Sequence, residues 1–195
     1  VVSFHLGGSS SVTGIRNGIA IGTSMGFSPQ SGLPQNNRVG DLDSGALPYA
    51  TKALGITMEE AERQLTKESG LQGVSGVSND LRDICNAAEG GNDDAQLALD
   101  MLVDSARHWA SSFLFELGGL DTIVFTAGIG ENNPWLRTAI CAGLENFGVT
   151  IDEEKNAACM ASEAVISSDN SPVKIIVIPA NEELVLAREV HRKIS

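Results

Sequence analysis

Positive charge is scarce in this chain: 13 lysines and arginines stand against 25 aspartates and glutamates, for a net charge of −12. No block of five or six basic residues occurs, which excludes a duplex-binding surface and leaves any acidic ligand to be held by a local arrangement. Cysteine is equally sparse. Cys85, Cys141 and Cys159 are dispersed, with no Cys-x-x-Cys spacing, so no zinc site is implied and the set reads as reduced thiols of a cytoplasmic protein. Long apolar runs are missing too; Ile175 to Ala180 is among the longest and falls far short of the roughly 20 residues a membrane span needs. No charged-then-apolar leader precedes the first strand, and the chain opens at Val1 directly in strand-like sequence, as a piece of something longer would. Glycine, by contrast, is abundant at 21 of 195 residues, which predicts several tight or left-handed loops.

Periodicity gives the order of elements. Residues 1–6 read as a strand, followed by the loop Gly7-Gly8-Ser9-Ser10-Ser11 and a second strand over 12–16. Asn17-Gly18 then supplies two residues that tolerate positive φ, the requirement of a type I′ hairpin turn, and 19–23 returns as a third, antiparallel strand. Residues 24–50 have little periodicity, and a loop of that length inside a compact domain is usually functional. Thr57 with Glu60 forms a capping box for a short helix ending by Gly70, and Ser78 or Asn79 caps a second helix carrying Leu81, Ile84, Cys85 and Ala88. A helix over 93–117 follows, mostly buried, with Ala98, Leu102, Ala106, Trp109, Phe113 and Leu117 at helical spacing.

Two strand-helix units complete the chain. A strand over 122–125 leads into Thr126-Ala127-Gly128-Ile129-Gly130-Glu131-Asn132, after which Asn133-Pro134 starts a helix running toward Gly148. An almost continuously apolar strand over 173–178, of the type buried on both faces of a parallel sheet, leads to a helix capped by Asn181 with Glu182 and Glu183 in its first turn. The order β-β-β-α-α-α-β-α-β-α contains no linker or repeat, so 1–195 reads as a single α/β domain with a mixed sheet flanked by helices. Ligands in such sheets bind at strand ends.

Several segments carry candidate chemistry. Gly7-Gly8, Gly73 to Gly76 and Gly128 to Gly130 are glycine loops able to turn backbone N–H groups toward an anion, which suggests phosphate; none matches the P-loop or the complete dinucleotide fingerprint. His5 is placed either to donate to a phosphate oxygen or to serve as a satisfied strand-end residue. Arg38 is placed either to hold a phosphoryl group bidentately or to pair with Asp41 or Asp43 on the surface. The Asp41-x-Asp43 pair lacks the further ligands of a calcium loop. Glu182 and Glu183 complement a helix dipole or, after a buried strand, hold magnesium directly or through water. His108 and His191, on helices, read as structural.

Read together, the segments His5 to Val12, Thr23-Ser24-Met25-Gly26-Phe27, Arg38-x-Gly40-Asp41-x-Asp43, Asp80-Leu81-Arg82, Phe125 to Asn132 and Ile178 to Leu184 resemble the acetate and propionate kinase family, in order through the whole chain. The resemblance implies a ribonuclease-H-like fold of the actin, sugar-kinase and heat-shock-ATPase type, and a chain that corresponds to the C-terminal, nucleotide-binding and dimer-forming half of a two-domain acyl kinase. It implies ATP-dependent phosphorylation of acetate to acetyl phosphate with Mg2+, propionate or butyrate being alternative acceptors, in a cytoplasmic homodimer that binds ATP/ADP and a short-chain carboxylate but neither nucleic acid nor membrane. A non-catalytic nucleotide-binding or assembly module is the competing reading if the chain is complete.

Roles follow residue by residue from that resemblance. His5, Leu6, Gly7, Gly8 and Ser9 match a phosphate-contacting segment; Asp80, Leu81 and Arg82 a nucleotide-binding segment; Gly128, Ile129, Gly130, Glu131 and Asn132 the loop around the adenosine. Arg38, with His5, matches the catalytic set, and Glu182 the magnesium-linked glutamate. Two stretches depart from the family pattern: Gly8-Ser9 stands in place of Asn-Gly, and Gln35-Asn36-Asn37-Arg38 in place of Met-Gly-Thr-Arg. The family's acyl-binding arginine, catalytic aspartate, a further histidine and a metal-side asparagine belong to the other half.

Overall fold

The computed structural model describes residues 1–194. Its first three strands, β1 (Val2–Leu6), β2 (Ser10–Arg16) and β3 (Ile19–Thr23), form the antiparallel meander read from the sequence. The hairpin turns where expected, with φ of 52° at Asn17 and 80° at Gly18. Two further parallel strands, β4 (Thr122–Thr126) and β6 (Lys174–Val177), and the short β5 (Ala164–Val165) complete a six-stranded mixed sheet of order β3-β2-β1-β4-β6-β5. β1 and β4 run parallel, as do β4 and β6. Their C-terminal ends, Leu6, Thr126 and Val177, therefore fall on one edge of the sheet.

The helices between β3 and β4 begin with α1 (Ala46–Leu54), a helix without a buried residue inside the segment expected to be irregular. Then come α2 (Met58–Lys67), α3 (Gly70–Ser75), α4 (Leu81–Glu89) and α5 (Asp93–Leu117). Thr57 Oγ1 caps α2 by accepting from the Glu60 N–H at 3.1 Å, as the sequence predicts. At α4 the cap is Asp80 rather than Ser78 or Asn79; Ser78 Oγ accepts from the Asp80 N–H one step earlier. α5 is the central support. Ala98, Leu102, Ala106 and Phe113 are buried against the sheet and against α3, α4 and α7 (Pro134–Cys141), whereas Trp109 and Leu117 are half-buried and the opposite face is exposed; the helix expected to be mostly buried covers the core with one face only. Phe113 lies directly on β2 and β3, where a Cβ on Gly14 would approach its ring to 2.6 Å. Glycine thus sets the distance between helix and sheet.

Beyond β4, the Gly128 to Gly130 stretch is helical, not a loop: it forms α6 (Ala127–Asn132), packed on β1. The α7 helix stops at Cys141, short of Gly148, because Ala142 is extended and Gly143 left-handed; Arg107 of α5 caps its end by donating to the carbonyls of Ala139, Ile140 and Ala142. A 3-10 turn (Glu145–Phe147) and α8 (Glu153–Ala158) precede β5, and α9 (Glu182–Ile194) follows β6 with no buried residue. Among the described residues no helix is long and apolar enough to cross a membrane, and all three cysteines are free thiols. Burial pushes the Cys141 thiol up to about 12.

Candidate functional site

The parallel strand ends deliver three segments to the same place: the Gly7 to Ser9 loop after β1, α6 after β4 and the Ile178 to Asn181 turn after β6. Each is fixed by a local device. Ser10 Oγ donates to the Gly7 carbonyl at 3.1 Å, holding the first loop closed. Ala127 takes φ of 66°, a left-handed conformation unusual for a residue with a Cβ, which turns the chain from strand into α6 at once. Asn181 Oδ1 accepts from the Leu184 N–H at 3.0 Å, the expected cap of α9.

Two cavities lie side by side on this edge. The first, of about 700 Å³, is lined by His5, Gly7, Gly8, Ser9, Gly128, Glu131, Glu182 and Glu183 among others. The second, of about 650 Å³, adds Asn36, Asn79, Asp80, Leu81, Arg82, Ile129 and Asn132. Gly7, Gly8 and Gly128 line both, so they form the ridge between them. A Cβ built on Gly8 or Gly128 meets nothing within 4 Å. At these two positions glycine is not required by packing; what it leaves bare is backbone facing open space, the surface against which a phosphate can lie closely.

Arg38 reaches this edge from the long connection. Its Nη1 donates to Ser9 Oγ at 2.7 Å and to Gln35 Oε1 at 3.2 Å, so the surface ion pair with Asp41 or Asp43 does not form. Asp41 has other work: Oδ1 accepts from the Gly32 N–H and Oδ2 from Trp109 Nε1, which ties the connection to α5. Gln35, only 1% exposed, accepts from Arg38 and donates through Nε2 to the Pro29 carbonyl. The backbone is anchored as well. The N–H groups of Leu71 and Gln72 at the start of α3 donate to the carbonyls of Gln35 and Asn36. Gly70 has φ of 62°, and a Cβ there would sit 2.1 Å from the Gln35 carbonyl oxygen, so only glycine permits the approach. Both acceptors of the Arg38 guanidinium are neutral, and its positive charge stays available beside Ser9.

The second cavity carries an acid-base pair of its own. Asp80 Oδ1 accepts from the Arg82 N–H at 2.9 Å, and the Arg82 guanidinium pairs with the same carboxylate. That guanidinium holds the Asp80 carboxyl at about 2, below the usual range. Asn36 Oδ1 is buried without a hydrogen-bond partner, an acceptor that a ligand N–H or O–H would satisfy.

Not every expected residue faces the cavities. Leu6 is fully buried in the core beneath β1, and Gly130 packs α6 onto Leu6 and Phe125, so both shape the wall without lining it. Leu81 lines the second cavity from a largely core position, at 5% exposure. Glu131 lines the first cavity, yet its Oε1 accepts from the Ala180 N–H at 2.8 Å, joining α6 to the turn before α9. The Gly73 to Gly76 segment lies in neither cavity; it belongs to α3 and its C-cap.

One supporting residue has no sequence signature. Arg137 of α7 is fully buried and donates to the carbonyls of Gly130, Glu131, Asn156 and Cys159 and to Asn156 Oδ1, all at 2.7–2.9 Å. Two of these acceptors are α6 carbonyls, so Arg137 locks the glycine segment in place. Desolvation lowers its pKa, the neutral acceptors offering no opposing full charge.

A family model described as the acetokinase family matches residues 1–188. The chain belongs to the acetokinase family. The acetate kinase of Heliobacterium modesticaldum is 42% identical over 192 residues, covering 98% of this chain and 48% of that protein. The propionate kinase of Escherichia fergusonii is 47% identical over 192 residues, with 98% and 47% covered. Among solved structures, the acetate kinase of Porphyromonas gingivalis superposes with a TM-score of 0.94 at 35% identity, covering 100% of this chain and 49% of that one. The chain therefore spans about half the length of the relatives it matches. Its six-stranded mixed sheet with flanking helices is the acetokinase form of the ribonuclease-H-like fold.

Proposed function

We propose that this chain is the nucleotide-binding half of an acyl kinase that transfers the γ-phosphoryl group of ATP reversibly to a short-chain carboxylate, acetate giving acetyl phosphate. In this reading it corresponds to the C-terminal domain of a two-domain enzyme, and it pairs with a second copy. The observation that carries the proposal is the bare backbone that Gly7, Gly8 and Gly128 present between the two cavities, with the Arg38 guanidinium, which lines neither cavity, held beside it through Ser9 and bound only to neutral acceptors.

The chemistry suits these residues. A carboxylate acceptor is ionised at neutral pH, since carboxyl groups titrate near ~4, so no strong base is required and catalysis rests on positioning and charge stabilisation. His5 and the backbone of Gly7, Gly8 and Ser9 orient the phosphates from the first cavity. Asp80, Arg82, Ile129 and Asn132 surround the nucleoside in the second. Arg38, steered by Ser9 and Gln35, lies against the charge that develops on the transferring oxygens. Glu182, with Glu183 beside it, is the carboxylate that would hold magnesium, directly or through water; Mg2+ supplies neutralisation of the polyphosphate when bound. A lone protein carboxylate fits that ion, which keeps several waters and takes its other ligands from phosphate. Among the described residues no cluster of three or more His, Cys, Asp or Glu offers a self-sufficient metal site, in keeping with a metal that arrives on its nucleotide.

Relatives carrying the acetate and propionate names match at similar identity, so the acyl group is the open part of the proposal and propionate the second acceptor. Acetyl phosphate formation by the longer polypeptide that contains this chain tests the activity, with acetate and propionate compared by kcat/KM. Arg38→Ala is expected to lower kcat by roughly 10³-fold or more; undiminished turnover would remove Arg38 from the mechanism.

A further inference from the structure

Asn36 is fixed in its main chain and unpartnered in its side-chain oxygen. Its carbonyl accepts from the Gln72 N–H at 2.9 Å, while the carbonyls of Gln35 and Asn37 on either side accept from the Leu71 and Ser69 N–H groups, so the stretch is pinned along the start of α3. The residue lines the second cavity, and its Oδ1 is buried without a hydrogen-bond partner. Among the described residues only one other buried side-chain oxygen shares that condition, Ser167 Oγ, and Ser167 lines neither cavity of the candidate site. A buried acceptor left unmade costs free energy in the empty protein. Packing gains nothing from it, so its partner is sought in what the cavity takes up.

The chemistry of a nucleotide decides which part of it this oxygen can meet. A carbonyl oxygen accepts and never donates. Ionised phosphates offer only acceptors and negative charge, so the donors of a nucleotide are its ribose hydroxyls and the exocyclic amino group of its base. Other groups on that wall are already committed. Asp80, the one carboxylate lining the second cavity, accepts from the Arg82 N–H, Nε and Nη2, and the side-chain amides of Asn132 and Asn133 donate to α6 carbonyls.

We infer that Asn36 Oδ1 accepts a hydrogen bond from the nucleoside part of the bound nucleotide, a ribose hydroxyl or the exocyclic amino group of the base, and that it selects among nucleotides by this contact. The inference rests on the reading that the two cavities hold a nucleotide. It adds a residue that the motif segments do not supply, since Asn36 stands where the family pattern has glycine, which has no side chain to offer. Because α3 fixes the backbone beforehand, little freedom is lost when the oxygen meets its donor. A nucleotide lacking that donor leaves the oxygen buried and unsatisfied, which is how a polar pocket rejects an analogue missing one group.

Calorimetric titration of the chain, with Mg2+ and each of ATP, 2′-deoxyATP, 3′-deoxyATP and the purine riboside triphosphate that lacks the amino group, tests this. At least one of the three analogues should bind about tenfold more weakly than ATP, and its identity names the donor. In Asn36→Ala that preference should vanish, ATP and the same analogue binding within about twofold of each other. The unliganded variant should melt at or above the wild-type temperature, since the unsatisfied oxygen is gone. A lower melting temperature with the preference intact, the mark of a residue serving only the fold, would overturn the assignment. So would wild-type affinities that do not differ, or an Asn36→Ala loss equal for all four nucleotides; in each of these cases nucleotide binding itself stands. If the wild-type chain takes up none of the four at millimolar concentration, the nucleotide reading fails and the inference with it.

Discussion

Two arginines near the candidate site differ in how many of their donors the fold uses. Arg137 is completely enclosed and all of its N–H groups donate to neutral oxygens, four of them main-chain carbonyls. Arg38 is half-buried and donates from Nη1 alone. Neither forms an ion pair among the described residues, and both meet only uncharged acceptors. The first has nothing left to offer a ligand and acts as an internal staple. The second, lining neither cavity itself, keeps its remaining donors and its charge beside Ser9, and the proposed role of meeting an anion rests on those donors.

That contrast is open to direct attack. Replacing Arg137 strands several buried carbonyls at once, so Arg137→Ala should cost about 4 kcal/mol or prevent folding; Arg137→Lys, with a point charge and fewer donors, should recover only part of this in urea titrations. Arg38→Ala should cost much less, about 1 kcal/mol for the buried Gln35 Oε1 left without its donor, while removing its share of turnover. Equal effects of the two substitutions on stability would erase the distinction. Gly8→Ala and Gly128→Ala sharpen it further. Each methyl would project into open space, and stability should change by less than about 1 kcal/mol, while calorimetric nucleotide affinity falls roughly tenfold because the phosphates can no longer approach the backbone.

The smaller effects concern titration. Asp80 has a folded-state pKa of about 2, below that of an unfolded aspartate. Its contribution to stability is therefore fully present above the unfolded value near ~4 and is lost as pH falls toward about 2. Asp80→Asn should accordingly lower the melting temperature slightly at pH 7 and hardly at all at pH 2. Cys141, buried and raised to about 12, should resist alkylation at pH 8 in the folded chain and react only on unfolding.

Much of this architecture was legible in the sequence where local chemistry and tertiary packing agree. Asn17-Gly18 makes the hairpin, Thr57 caps α2, and the apolar spacing of 93–117 gives α5 its length. Departures occur where one outweighs the other. Gly-Ile-Gly reads as a loop because glycine disfavours helix, yet it is helical since Gly130 packs on Leu6 and Arg137 binds the carbonyls at its end. The α1 helix buries nothing, so no apolar stripe announces it. In the site, motif positions converge because they follow parallel strand ends, whereas Asn36, Asn79 and Met160 arrive from elements whose neighbours only the fold determines. Arg137 was invisible for the same reason: its acceptors are main-chain atoms, which carry no residue identity.

The proposed function requires that the ends of β1, β4 and β6 form a single polyphosphate cradle. Backbone amide chemical shifts of the chain, followed while Mg2+ and ATP are added to millimolar concentration, test it most directly. The largest changes should fall together on Gly7, Gly8, Ser9 and Gly128, with smaller ones at Asp80 and Arg82. Changes confined to other surfaces, or none at saturating nucleotide, would contradict it.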